Sequence, residues 1–100
     1  MASGGTLPMV SGSFVGTGAI ITVDTVGFRP KRVEFINITN DATGTWQDTF
    51  PDDAVHTQED AAGAYAASDG VTPSDTGFAL GTNAVLNTAA EEVHWTAYGD

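Results

Sequence analysis

An all-β fold follows from two features of the sequence. Fourteen Thr, nine Val and twelve Gly stand beside three Leu and only three Lys plus Arg, which is a strand-and-turn composition. Turn-forming residues recur every ~8 to 12 positions between about seven or eight short segments, a rhythm that excludes helical bundles and parallel α/β sheets. One hundred residues make one domain. The class expected is an antiparallel β-sandwich or jelly-roll-like domain over residues 13–100, with a flexible N-terminal arm over residues 1–12.

The arm is expected because Gly4, Gly5, Pro8 and Gly12 lie among small polar residues. Phe14-Val15 and Ala19 to Val23 read as two short strands broken by Gly16 and Gly18, the spacing of a hairpin or bulge. After Pro30, polar Arg32, Glu34, Asn37 and Thr39 interleave with apolar Val33, Phe35, Ile36 and Ile38. Alternation slips at Phe35-Ile36, which predicts a bulge or a central strand covered on both faces. Asn40 to Gly44 is dense in turn formers, and Thr45 to Phe50 makes the next strand, ended by Pro51. Residues 57–68, TQEDAAGAYAAS, are good helix formers with an approximate capping box from Thr57 to Asp60, but Gly63 weakens a helix by about 1 kcal/mol, so helix and loop both stay open. Gly77 to Leu80, Ala84 to Leu86 and Glu92 to Tyr98 read as the closing strands. In the last, Val93, Trp95 and Ala97 share one face and Glu92, His94, Thr96 and Tyr98 the other.

Charge is segregated. The net charge is −10, and the three cations, Arg29, Lys31 and Arg32, fall within four positions. Twelve acids and no Lys or Arg follow from residue 33 onward. Such a chain repels phosphate backbones and anionic membranes, so no nucleic acid and no membrane is expected as a partner. The N-terminus has no basic or apolar leader pattern, and no apolar run nears the ~20 residues that a bilayer requires. The cationic trio either solvates a strand entrance or docks on an acidic partner.

Catalytic chemistry finds few candidates. His56 and His94 are the only side chains that ordinarily titrate near neutrality, and no serine elbow or dinucleotide loop accompanies them. Cysteine is absent, which removes disulfides and thiolate sites. Asp48, Asp52 and Asp53 do not match a calcium loop, so a solvated acidic loop is the better reading and no cofactor or metal is expected. Trp46 and Tyr65 are candidates for stacking on a sugar ring.

The segments GSFVGTGA at 12–19, GFRPKRVEFIN at 27–37, Trp46 and Phe50, GVTPSDTGFALGTNAVLNT at 70–88 and VHWTAYGD at 93–100 together resemble, in that order, a group of short tailed-bacteriophage structural proteins. The resemblance implies a non-enzymatic virion protein on the capsid surface. Its most concrete form is a capsid decoration (cement) protein that contacts the major capsid protein and associates with itself as a homotrimer. The matched positions Gly27, Phe28, Pro30, Gly77, Phe78, Gly81, Trp95 and Ala97 are architectural in that reading, and Arg29, Lys31 and Arg32 are the expected contact. The alternative is a tail or fibre module that binds carbohydrate through Trp46 or Tyr65.

Overall fold

A computed structural model of the chain describes residues 8–59 and 62–99. These form eight strands: β1 Met9–Val15, β2 Ile21–Val23, β3 Arg32–Asn37, β4 Ala42–Gln47, β5 Ala54–Glu59, β6 Ala62–Ser74, β7 Gly77–Leu80 and β8 Glu92–Tyr98. No helix occurs among the described residues. Every pairing is antiparallel, and the strands make one sheet in the order β1-β8-β3-β4-β5-β6-β7-β2.

The antiparallel β content is as expected, but its layers come from one sheet curled on itself rather than two separate sheets. The bend lies in β6, where the register to β5 jumps from Val55↔Ala66 to Ala54↔Val71. Residues 62–66 therefore pair with β5, and 71–74 pair with β7. Curling brings β7 across the interior from β3 and β8. Phe78 meets the rings of Phe35 and Trp95 edge to face, at centroid distances of 5.7 and 5.4 Å. Val33, Trp46, Val55, Val71, Leu80, Leu86 and Val93 complete the core around them.

The described part of 57–68 is neither helix nor loop: 57–59 finish β5 and 62–68 begin β6, and residues 60–61 lie outside the described residues. The expected hairpin at Phe14 to Val23 is also corrected. Its two strands are β1 and β2, which lie at opposite edges of the sheet. Of the arm expected over residues 1–12, residues 1–7 lie outside the described residues, while Met9 to Gly12 are paired with β8.

The slip in β3 has a different cause from either one expected. Its register with β4 and β8 is continuous, so there is no bulge. Ile36 and Ile38 are 53 % and 55 % exposed, so the outer face is uncovered there. Period-two alternation holds because the inward residue is Asn37, which is fully buried and hydrogen-bonded through its whole carboxamide. Its Nδ2 donates to Val85 O (2.9 Å) and Glu91 Oε1 (2.8 Å), and its Oδ1 accepts from the N–H groups of Thr39 (3.1 Å) and Asn40 (3.0 Å).

Asn37 anchors the long connection from β7 to β8, residues 81–91, across the interior. Ala84 to Leu86, expected as a strand, is a turn in that connection, because Asn83 Oδ1 accepts from the N–H groups of Val85 (2.9 Å) and Leu86 (3.2 Å). Leu86 then drops into the core over β4. A side chain at Gly44 would begin 2.5 Å from Leu86 Cδ1, so the glycine read as a turn former belongs inside β4 and makes room for the plug.

Candidate functional site

The cationic trio leads into the start of β3, between β4 and β8. Lys31 extends the ladder by one residue on both sides, donating its N–H to Tyr98 O (2.7 Å) and accepting from Asp48 N–H at its own O (2.8 Å). Each cation has an acid beside it. Arg29 lies 3.7 Å from Asp75, Lys31 3.4 Å from Asp48, and Arg32 2.6 Å from Glu34. All six side chains are at least 37 % exposed, so each pair contributes under about 1 kcal/mol, and the pairs open readily toward a partner. Arg29 and Lys31 share a shallow cavity of about 370 Å³ with Trp46, Asp48 and Asp52, whereas Arg32 points onto the outer face of β3. The trio is therefore divided between two surfaces.

The sugar-stacking pair is divided as well. Trp46 is 2 % exposed, with its indole N–H donating to Pro51 O (3.3 Å), so it is a core residue and presents no stacking face. Tyr65 is 52 % exposed and packs edge to face on Phe50 at 5.5 Å. Trp95 is likewise buried.

Both histidines lie exposed on the outer face of the sheet, but three strands apart: His94 on β8 opposes Ile36 on β3, and His56 on β5 opposes Thr45 on β4. His94 Nε2 is 2.7 Å from Glu92 Oε2. Among the described residues no group of three or more His, Asp or Glu side chains could hold a metal ion, and no helix is long and apolar enough to cross a membrane.

Sequence reasoning missed the outer face itself. Antiparallel register aligns Ser11, Thr96, Glu34, Thr45, His56 and Tyr65 in one row across six strands, and Ser13, His94, Ile36, Thr43 and Gln58 in the next. A groove of about 270 Å³ runs between the rows over β4, β3 and β8. The alternation of β8 was the available signal, since it already set His94 and Thr96 apart from Val93 and Trp95.

At one end of this face lies a small polar cluster around Glu34. Glu34 accepts from Tyr98 Oη–H (2.9 Å) and from Arg32 (2.6 Å). The hydrogen bond to Glu34 raises the Tyr98 phenol above its ordinary value of 10.0, with partial desolvation and the negative charge of Glu34 adding to the rise and Arg32 opposing it. The folded state thus favours the neutral phenol. Its contribution is whole below pH ~10 and is lost as pH climbs through the raised value. The difference in melting temperature between wild type and Tyr98→Phe is expected to shrink above pH ~10; a constant difference across that range would exclude this coupling.

No protein-family model matches the chain, and no curated protein or solved structure matches it.

Proposed function

We propose that the chain is a non-enzymatic virion structural protein, most concretely a capsid decoration protein that binds the outer capsid lattice and stabilises it. The observation that supports this reading best is the disposition of its distinctive side chains. The aromatics that a ligand site would use, Trp46 and Trp95, are taken up by the core, and the histidines stand apart. What faces solvent is a broad sheet face and two unpaired sheet edges among the described residues, the equipment of a protein that acts through surfaces. The positions shared with the phage proteins fit the same view: Phe78, Trp95 and Ala97 are core, and Gly77 is a point of close backbone approach. Repetition on a lattice would convert a weak contact by a 10.3 kDa domain into firm attachment.

Binding of the purified chain to capsids that lack it tests this reading. Saturation at a fixed ratio to the major capsid protein, with a higher temperature of capsid disruption, is expected. Reversing the cations in R29E/K31E/R32E should weaken attachment and alter its salt dependence while the domain still folds, because the three ion pairs are solvated. Unchanged attachment by that variant removes the cationic contact; absence of saturable binding by the wild type removes the function.

A second reading, a tail or fibre module that stacks a sugar ring, rests on the exposure of Tyr65 alone. A glycan array without binders would eliminate it.

A further inference from the structure

Strand β1 is one edge of the sheet, paired only with β8 among the described residues. The flanking bonds fix which backbone groups it leaves open. Gly99 N–H donates to Pro8 O (3.0 Å) and Gly16 N–H donates to Glu91 O (2.8 Å), so the even-numbered residues bond toward β8. By the alternation of an antiparallel strand, the N–H and C=O groups of Met9, Ser11, Ser13 and Val15 face away from the sheet.

Natural sheets guard such edges with charge, proline, bulges or a covering segment. Among the described residues β1 itself carries no charge, proline or bulge, and β2 faces it across an open groove of about 340 Å³ without pairing to it. The register of β1 is regular over seven residues, and the sequence holds no charged residue before Asp24, in a chain of net charge −10. Met9 and Val15 on the strand are 60 % and 57 % exposed. An uncharged apolar edge on a strongly acidic body is where two copies repel each other least.

The order of residues in β1 supplies the specificity. Met-Val-Ser-Gly-Ser-Phe-Val reads nearly the same in both directions about Gly12. We propose that β1 pairs with β1 of a second copy, antiparallel about a twofold axis at Gly12, joining the two sheets into one. In that register Met9 opposes Val15 and Ser11 opposes Ser13 on the outer face, while Val10 opposes Phe14 on the inner face. An axis at Gly12 also sets odd residues against odd residues, the ones whose backbone groups are open; an axis between two residues would set them against groups already bonded to β8. The contact is isologous and closes at two copies, in place of the trimer expected from the resemblance. It stands whether or not the protein decorates a capsid.

A seven-residue edge falls below the ~1,200 Å² of a standard interface, so the association is weak and concentration decides it. Sedimentation equilibrium of the full chain from about 1 µM to about 1 mM should show the mass moving from 10.3 kDa toward twice that value, and more so at high salt. The variant S11K/S13K sets like charges opposite one another and should dimerise roughly tenfold or more weakly, although it lowers the net charge. S11E/S13K sets opposite charges together in the same register and should dimerise again. Circular dichroism checks that both variants fold, as expected for two exposed serines on the outer face. A monomeric or trimeric wild type, an S11K/S13K variant that dimerises like wild type, or a folded S11E/S13K variant no better than S11K/S13K overturns the pairing.

Discussion

Replacing Asn87 by alanine should lower the melting temperature by about 10 to 25 °C. Asn87 is 1 % exposed and uses its whole carboxamide. Its Oδ1 accepts from the N–H groups of Thr17 (3.0 Å) and Gly18 (3.3 Å), and its Nδ2 donates to Ala19 O (2.7 Å) and Gly81 O (2.8 Å). These bonds tie the segment between β1 and β2 to the end of β7, where the two sheet edges approach one another. Truncation strands several backbone groups at about 1 to 3 kcal/mol each, partly recovered by water because Thr17 and Gly18 are at the surface, for a net loss of about 2 to 4 kcal/mol. Amide exchange at Thr17 and Gly18 should quicken in the same variant. A melting temperature within about 2 °C of wild type would mean that water replaces the carboxamide fully and that Asn87 is not the tie.

Gly77→Ala should be more severe. A Cβ at that position would be driven into the backbone carbonyl of Val23, the residue that pairs β2 to the start of β7. Backbone cannot rotate away as a side-chain end can, and β2 is only three residues long with β7 as its single partner among the described residues. The expected loss is about 3 to 5 kcal/mol, a large share of the stability of a domain this size. It would leave β2 detached and the Phe78 contacts with Phe35 and Trp95 loosened, which near-ultraviolet circular dichroism would record as lost aromatic signal. Gly63→Ala is the matched control: its Cβ meets only the side-chain ends of Gln58 and His56, at 3.4 Å, and should change stability by less than about 0.5 kcal/mol. Equal effects of the two substitutions would contradict the packing argument.

Much of the sheet was legible because period-two alternation is a local signal. It sorted β8 correctly into Val93, Trp95 and Ala97 inside and His94 and Thr96 outside. The same signal misled in β3, where a buried Asn37 occupies a core position and Ile36 faces solvent; only the distant partners Val85 and Glu91 explain that exchange. Gly44 looked like a turn because its reason to be glycine, Leu86, is 42 positions away along the chain (86 − 44). Helix-forming residues at 57–59 and 62–66 yielded to β pairing, as tertiary contacts override weak intrinsic preference. Strands β1 and β2 are neighbours in sequence, yet the carboxamide of Asn87 and the pairings with β8 and β7 hold them at separate edges.

The candidate surfaces were less legible than the fold. Composition located the cationic segment, but not that each cation would face an acid, nor that Arg32 would point away from Arg29 and Lys31. Aromatic content could not separate the buried Trp46 from the exposed Tyr65. The outer rows and the uncharged edge of β1 emerge only once register is known.

The claim that joins these surfaces to a role is that the chain works as a component of a capsid. Its copy number on purified virions, measured by quantitative mass spectrometry against the major capsid protein, tests that claim most directly. Hundreds of copies per particle in a fixed ratio to the major capsid protein are predicted; a handful of copies, or none, would contradict it.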